Sequence, residues 1–366
     1  MFHVKLKQYR MWLLSISIFL IGLGMLVYSV VGKPVPDADT YKEKPSIRFA
    51  LCGDMEMQKI MDKVTQVFMR IQDCEVDVYC FSTEEELREK TIAQVAAGEP
   101  FDVICPDRYT FDVLEASSHL CVLDEIVLNL HADGDDFYSA ALADGQVNGR
   151  QYALPTGVMP YLIYYNQDAF EAADVPSPQE YMNEKRWTPD GFADCIFRFY
   201  QSTGKPVLAL NNRRDESKAT PSNIVEIAGD DVDIDPRCIA YMDVESMRQQ
   251  FIHGEIPMIV SDLSMTRFGW DIQWDVIPYP SSDSDFSRCI FDVPMIIAVA
   301  DDQQELAKEF VQFYVSGIGQ KLRLEHGECL LPSLNMTFYT SMGDVVFPDH
   351  SNYYFFAIEN GSSYED

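Results

Sequence analysis

The chain has 366 residues, of which 47% are apolar and 23% charged, a composition that forms folded domains rather than disordered segments. Its 58 Asp and Glu residues against 28 Lys and Arg residues give a formal net charge of −30. Because so acidic a surface repels phosphate groups, the composition excludes nucleic-acid binding and a polybasic contact with anionic lipid.

The amino terminus has the pattern of a membrane-targeting segment. Residues 1–10 form a basic flank that carries Lys5, Lys7 and Arg10, and residues 11–32 contain no charged side chain. A helix needs about 20 apolar residues to cross the hydrocarbon core, whereas the apolar part of a signal peptide usually spans about 7–15. The length favours an uncleaved anchor helix, and a cleaved signal peptide is the alternative.

The basic flank also predicts the compartment. Basic residues before an apolar segment remain in the cytoplasm, so we expect the rest of the chain at the extracytoplasmic face of the cell membrane, or secreted if the segment is cleaved. Residues 33–44 contain Pro34, Pro36 and three acidic side chains, which is typical of a flexible linker.

Nine cysteines follow the apolar segment. An odd number cannot all pair within one chain, and no C-x-x-C motif occurs, so the sequence leaves the disulfide pairing open. Several lie in apolar, strand-like runs, where a small buried thiol is the simplest interpretation. The nine are Cys52, Cys74, Cys80, Cys105, Cys121, Cys195, Cys238, Cys289 and Cys329.

Strand and helix patterns alternate after the linker. The apolar run at 46–52 predicts a strand, and apolar residues at three- and four-residue steps over 57–71 predict an amphipathic helix. A strand at 75–81, a helix at 84–97 and a strand at 101–105 follow. This order predicts a parallel sheet covered by helices, whose ligands bind at the carboxyl ends of the strands. Those ends lie at residues 53–56, 82–83 and 106–109.

The later segments predict a second group of strands and helices. We expect a polar, acidic loop region over 211–235, in which Asp231, Asp233 and Asp235 alternate as in a calcium loop but Pro236 replaces the required glycine. The other predicted elements are strands at 161–166, 256–260, 274–277 and 292–299, and helices at 167–173, 187–200, 247–252 and 302–316.

Four stretches of sequence resemble the motifs of one family in the family's own order. They are AAGEPFDV at 96–103, the pair GRQYALP at 149–155 and YYNQDAF at 164–170, FIHGEIPM at 251–258, and VIPYP at 276–280 with ELAKEFV at 305–311. In the third stretch Pro257 replaces an alanine of the family pattern. The chain therefore resembles the family 1 extracellular solute-binding proteins of ABC importers, the class that includes the maltose-binding proteins.

The resemblance implies an α/β fold of the periplasmic-binding-protein-like class II, in which two lobes joined by hinge crossings hold a ligand in the cleft between them. Lobe 1 would comprise 45–160 and 290–316, and lobe 2 would comprise 161–289 and 317–366. The crossings would lie near 161–166, 280–289 and 317–324. The resemblance also implies a monomer without a cofactor, whose partners are a small-molecule ligand and the permease subunits of an importer.

The strongest candidate site is Asp107-Arg108-Tyr109, directly after the third predicted strand. This cluster resembles the aspartate–arginine pair that carbohydrate-binding members use on sugar hydroxyls, where the carboxylate accepts hydrogen bonds and the guanidinium donates them. A structural ion pair that caps the following helix is the alternative interpretation. Asp54 and Glu56 follow the first strand, and capping of the next helix explains them equally well.

A sugar site also needs flat apolar side chains, because pyranose C–H groups stack on aromatic rings. Tyr109, Tyr161 and Trp270 are the candidates, whereas Trp187 is expected in the core. Opposite them, Ser261, Asp262 and Ser264 follow a predicted strand of lobe 2. Met159 and Ser264 stand where maltose-binding proteins have an acidic residue and a stacking tryptophan, which argues against maltodextrins as ligands.

Enzymatic interpretations lack a motif. The six histidines form no H-x-x-x-H pair, and neither G-x-S-x-G nor G-x-x-x-x-G-K-[ST] occurs. We therefore predict a non-enzymatic receptor that delivers a small ligand, most simply a carbohydrate, to an ABC importer by closing two lobes around it. The alternative from a different class is a membrane-anchored sensor or scaffold that uses the same fold without transport.

Overall fold

Two β-sheets organise the part of the chain that a computed structural model describes, namely residues 44–211, 223–229, 232–266, 269–282, 289–300, 302–328, 330–337 and 348–363. The predicted anchor helix at 11–32 and all of the linker except Lys44 lie outside these residues, as do Asp231 and Cys329. Residues 45–366 cluster as one compact unit. Within the described ranges, no helix combines the length and the apolar character needed to cross a membrane.

The strands of the described chain are numbered in sequence order. They are β1 (Ser46–Cys52), β2 (Glu75–Phe81), β3 (Val103–Ile104), β4 (Gln146–Val147), β5 (Arg150–Gln151), β6 (Leu154–Pro155), β7 (Met159–Asn166), β8 (Leu208–Asn211), β9 (Ile239–Met242), β10 (Met258–Ser261), β11 (Trp274–Ile277), β12 (Ile290–Asp292), β13 (Met295–Ala298) and β14 (Ser362–Ser363).

The helices are numbered in the same way. They are α1 (Met55–Gln72), α2 (Glu84–Ala97), α3 (Arg108–Ala116), α4 (Asp124–Ala132), α5 (Ser139–Ala143), α6 (Gln167–Ala173), α7 (Pro178–Asn183), α8 (Pro189–Thr203), α9 (Ile224–Ala228), α10 (Val244–Ile252), α11 (Gln304–Val315), α12 (Gly317–Glu325) and α13 (Asn352–Asn360).

The first sheet has the strand order β2-β1-β3-β13-β6, and β1 runs parallel to both β2 and β3. Successive side chains of β1 point to opposite faces of the sheet, and both faces are covered by helices. Phe49 packs on one side with Phe68 of α1 and Phe310 of α11, and Ala50 packs on the other with Phe111 of α3. The predicted strand–helix–strand–helix–strand order is confirmed here.

The second sheet has the order β14-β12-β7-β10-β8-β9, and β11 also pairs with β7. Its central strand β7 is antiparallel to β10, β11 and β12. Tyr161, Ile163 and Tyr165 of β7 pack into one core, and Leu162 and Tyr164 pack into the core on the opposite face. With sheets and helices in both halves, the chain has the expected two-lobe α/β architecture.

The predicted single strand at 292–299 is wrong, because the structure divides it between the two lobes. β12 ends at Asp292 in the second sheet, and β13 begins at Met295 in the first. Val293 and Pro294 lie between the two strands and form one connection between the sheets. Pro294 has no backbone N–H and cannot continue a strand ladder, which accounts for the break.

Two of the predicted crossings between the lobes differ from the structure. The chain passes from β6 to β7 through residues 156–158, before the crossing expected at 161–166, because residues 159–166 all belong to β7. The crossing expected at 317–324 is instead helix α12, which packs against α11 and α1 of the first lobe. A later segment, residues 330–333, runs beside residues 156–158.

Hydrogen bonds fasten the two connections at 156–158 and 293–294, and the segment 330–333, to one another. The backbone N–H and the Oγ1 hydroxyl of Thr156 both donate to the Pro294 carbonyl, at 2.8 Å and 3.0 Å. Val158 and Leu331 exchange two backbone hydrogen bonds of 2.8 Å and 3.1 Å. Between them Gly157 allows a close approach, since a Cβ there would lie 2.7 Å from the Cβ of Leu330.

A buried ion pair supports the same junction. The Arg323 guanidinium of α12 donates to the Glu328 carboxylate at 2.8 Å and also to the Thr156 carbonyl. It lies over the Tyr314 ring, 4.1 Å from the ring centroid. Burial raises the pKa of Glu328, although the neighbouring Arg323 acts in the opposite direction. The carbonyl of the first connection is therefore held by a charged group from α12.

Candidate functional site

The carboxyl ends of β1, β2 and β3 meet at one edge of the first sheet. Backbone hydrogen bonds of 2.8 Å from Gly53 to Phe81 and 2.9 Å from Cys105 to Ala50 fix these ends side by side. β13 runs antiparallel to β3 and begins directly after the Val293–Pro294 connection. The edge that carries residues 105–109 is therefore the edge from which the chain passes to the second lobe.

Asp107 begins helix α3 and uses both carboxylate oxygens within the lobe. Oδ1 accepts a 2.8 Å hydrogen bond from the Thr110 N–H, which is an N-cap. Oδ2 accepts from Nε of Arg88 at 2.9 Å and also from Nη2 of the same guanidinium. Asp107 thus caps α3 and forms an ion pair, but its partner is Arg88 of α2 rather than the neighbouring Arg108.

Arg108 and Tyr109 occupy the first turn of α3. Arg108 donates from Nε to Asp112 at 2.9 Å and from Nη1 to the Asp144 carbonyl at 3.1 Å. Tyr109 is 57% exposed. An aromatic ring open to solvent at the end of a central strand is available for stacking on a ligand.

Asp54 and Glu56 lie at the neighbouring strand end. Asp54 is the N-cap of α1, and its Oδ1 accepts hydrogen bonds of 2.9 Å from the N–H groups of Glu56 and Met57. Glu56 pairs with Lys59 at 2.7 Å on the surface of the helix. Both side chains are exposed, so they contribute negative charge to this edge in addition to capping the helix.

Two thiols at the same edge are poor nucleophiles. Cys80 lies beside Gly53, and Cys105 directly follows β3. Burial, and secondarily the charge of Asp54, raises the pKa of Cys80. Burial also raises the pKa of Cys105. Because only the thiolate is reactive, these groups stay protonated and inert at neutral pH.

In the second lobe, Met159 and Tyr161 lie at the amino end of β7, next to the 156–158 connection. Met159 is paired in register with Asp292, the residue that precedes the Val293–Pro294 connection. The Tyr161 ring is buried in the lobe core, and its hydroxyl donates to Asp292 Oδ2 at 3.0 Å. Tyr161 thus presents no open ring face at this edge, whereas Met159 and Asp292 are partly exposed there.

Ser261 is the last residue of β10 and lies at the same edge, because it is paired with Leu162 of β7. Asp262 follows it directly. Asp262 is nearly buried and accepts a 2.7 Å hydrogen bond from the Ser264 N–H, which shapes the turn that follows. Ser264 itself is exposed. Four of the predicted site residues, namely Met159, Tyr161, Ser261 and Asp262, therefore lie at neighbouring strand ends of the second sheet; Met159, expected in lobe 1, begins β7 of that sheet.

Trp270 lies apart from this group. Its ring packs 5.0 Å from that of Phe251 and 4.9 Å from that of Trp274, by ring centroids. Trp274 pairs with Asn166, at the opposite end of β7 from Met159. Trp270 is therefore part of an aromatic cluster in the lobe core rather than a stacking surface beside Met159. Trp187 is buried as predicted, and its indole N–H donates to the Pro278 carbonyl at 2.8 Å.

The side chains at these strand ends are hydrogen-bonding groups and one exposed aromatic ring. Within the described ranges, no group of three His, Cys, Asp or Glu side chains could hold a metal ion. Sequence reasoning missed Arg88 and Asp292. Arg88 lies 19 residues before its partner Asp107, and Asp292 is 131 residues after Tyr161, so no local spacing could reveal either contact.

The model of the bacterial extracellular solute-binding protein family matches residues 56–321. No curated protein is significantly similar to the chain in sequence. Similar solved structures include the GacH receptor of Streptomyces glaucescens, whose structures include complexes with acarbose and an acarbose homolog, at 15% identity, 87% coverage of each chain and a TM-score of 0.66. The sugar-binding protein MalE from Xanthomonas citri has 13% identity, with 87% of this chain and 86% of that chain covered and a TM-score of 0.68.

A third similar structure is the substrate-binding protein Lmo0181 from Listeria monocytogenes in complex with cycloalternan. It has 18% identity, 87% of this chain and 88% of that chain are covered, and the TM-score is 0.61. At these identities the likeness establishes the fold.

Proposed function

Because the chain belongs to the bacterial extracellular solute-binding proteins, we propose that it binds a carbohydrate between its lobes and delivers it to an ABC importer. The observation that carries this proposal is the exposed ring of Tyr109 beside Arg108, at the edge of lobe 1 that adjoins the crossings. Sugars are recognised by this combination of a flat apolar surface and hydrogen-bonding groups that are held in place.

The similar solved structures support this class of ligand. Proteins of the same fold are described with acarbose, cycloalternan and raffinose. We propose Arg108, Tyr109, Asp54 and Glu56 as ligand contacts on lobe 1. On lobe 2 we propose Met159, Ser261, Asp262 and Ser264, with Asp292 added to them. Asp107 and Tyr161 would not contact the ligand. Asp107 would hold the start of α3, and Tyr161 would orient Asp292.

Binding would proceed by closure of the lobes. Open and closed forms that differ by a few kcal/mol respond to a ligand that contacts both lobes, because the closed form then gains the additional contacts. The protein would act as a monomer without catalysis, held at the extracytoplasmic face by its amino-terminal apolar segment. The permease subunits would recognise the closed form.

A thermal-shift screen of residues 45–366 tests the ligand class, because a ligand that binds only the native state raises the melting temperature. We expect a shift with one or more of raffinose, cycloalternan, acarbose, glucose and tagatose. The variants Arg108→Ala and Tyr109→Ala should lose this shift while they keep the melting temperature of the free protein to within a few degrees.

The matched control is Arg198→Ala on α8 of lobe 2, where the arginine is also exposed and paired with an aspartate four residues away. It should respond to the saccharide as the unchanged protein does. A response to amino acids or peptides with none to any saccharide would contradict the carbohydrate proposal. Retained saccharide binding in both lobe 1 variants would contradict the proposed contacts.

A further inference from the structure

Arg88 of α2 connects two features of the candidate site. Its guanidinium donates from Nε and Nη2 to the same oxygen of Asp107, at 2.9 Å for Nε. The Arg88 side chain is 35% exposed and that of Asp107 only 6%. The hydrogen bond to Asp107 raises the pKa of Arg88, so the guanidinium is charged at any physiological pH. The pair therefore fixes a positive charge at the start of α3.

The same guanidinium lies over the ring of Tyr109, with its central carbon 5.0 Å from the ring centroid. A cation over an aromatic face is attracted by the electrons of the ring and restricts the ring's rotation. One face of the ring is covered by Arg88, yet the residue as a whole is 57% exposed. The ring face turned away from Arg88 is therefore the face proposed to meet a ligand.

Asp107 acts as the fixed point of this arrangement. Its Oδ1 is bound to the Thr110 N–H at 2.8 Å, so the carboxylate cannot turn without uncapping α3. Arg88 is oriented by the carboxylate through two hydrogen bonds, and the ring of Tyr109 is in turn oriented by Arg88. This chain of contacts joins a helix cap, a guanidinium and an exposed ring.

We propose that Arg88 is a positioning residue of the ligand site, which holds the Tyr109 ring so that its open face stacks on the C–H face of a saccharide. The inference rests on the proposed function. Arg88 gives Nε and Nη2 to the Asp107 carboxylate, and its guanidinium lies on the Tyr109 ring, so its proposed role is to orient the ring rather than to contact the ligand. Its contribution to affinity passes through Tyr109.

A double-mutant cycle tests this dependence. Affinity for raffinose and for cycloalternan is measured by titration calorimetry for the unchanged protein, Arg88→Ala, Tyr109→Leu and the double variant. We expect Arg88→Ala to weaken binding about threefold to tenfold, the range set by a cation–π contact. In the Tyr109→Leu background, which keeps an apolar contact but has no ring for Arg88 to hold, the same change should have no further effect. Arg88→Lys, which keeps a cation near the ring, should recover part of the loss.

Arg198→Ala is the control, and it should leave the affinity unchanged. Melting curves by circular dichroism show whether each variant is folded. If Arg88→Ala does not fold, the cycle is run with Arg88→Gln, which keeps hydrogen-bond donors without the charge. If the Arg88 substitution lowers the affinity equally in proteins with and without the Tyr109 ring, the positioning role of Arg88 is overturned while the proposed function stands. Failure of the unchanged protein to bind either of these saccharides or any other would overturn both.

Discussion

At the scale of single residues, Glu328 has an ionisation coupled to the junction between the lobes. Burial raises its pKa above the ordinary value near 4.5, against the opposing attraction of Arg323. Because the pKa is higher in the folded state, the folded protein holds this proton at pH values where the unfolded chain has already lost it. The contribution of Glu328 to the free energy of unfolding should therefore decline as the pH rises from about 4.5 through the raised pKa.

The variant Glu328→Gln should remove this contribution, because glutamine has no proton to lose in this range. Urea unfolding at a series of pH values gives the free energy of unfolding for both proteins, and the unchanged protein should show the steeper decline. Glu325→Gln is the control, since Glu325 is exposed at the end of α12, three residues before Glu328. Identical pH dependence in the unchanged protein and Glu328→Gln would contradict the prediction.

Asp107 shows what the sequence can and cannot predict for a single side chain. Its position after an apolar strand predicted an edge location, and the N-cap interpretation followed from the helix pattern behind it. The partner of its second oxygen could not be predicted, because Arg88 reaches it from a different helix across the sheet edge. Long-range side-chain contacts depend on tertiary packing, which local patterns do not encode.

At the scale of secondary-structure elements, helix α7 depends on Ser177, the residue that precedes it. The Ser177 hydroxyl accepts a 3.4 Å hydrogen bond from the Glu180 N–H, and the Glu180 carboxylate accepts a 2.7 Å bond from the Ser177 N–H. This capping box satisfies two N–H groups that a six-residue helix would leave to solvent. Ser177→Ala should lower the free energy of unfolding by about 1 kcal/mol.

Ser351→Ala provides the matched control for Ser177→Ala. Ser351 also precedes a helix, α13, but its side chain makes no capping hydrogen bond. Its replacement should change the free energy of unfolding by less than about 0.5 kcal/mol. Urea unfolding of the two variants measures both values. An equal effect at the two positions would mean that the capping box contributes nothing.

Helices whose apolar residues recur every three or four positions were predicted well. Strands that are separated only because the chain passes from one sheet to the other were not. The stripe over 57–71 was confirmed as α1, because one face of that helix must be buried whatever lies opposite it. The run at 292–299 is apolar throughout, so the pattern could not reveal that Pro294 separates two sheets. Only the pairing of β12 with β7 and of β13 with β3 separates the two strands.

At the scale of the whole molecule, the proposed closure predicts a change in dimensions. Small-angle scattering of residues 45–366 should give a smaller radius of gyration when a saccharide that raises the melting temperature is present at saturation. The reason is that a ligand in contact with both lobes favours the closed form. Tyr109→Ala at the same saccharide concentration is the control and should scatter as the free protein does. An unchanged radius in the saturated protein would contradict closure.

The fastening of the two connections between the sheets bears on how such a motion could occur. Thr156 is bonded to Pro294 and Val158 to Leu331, so the two connections and the segment 330–333 form one hydrogen-bonded layer. A change in the angle between the lobes would bend the two connections together, whereas sliding one connection along the other would break the hydrogen bonds of Thr156.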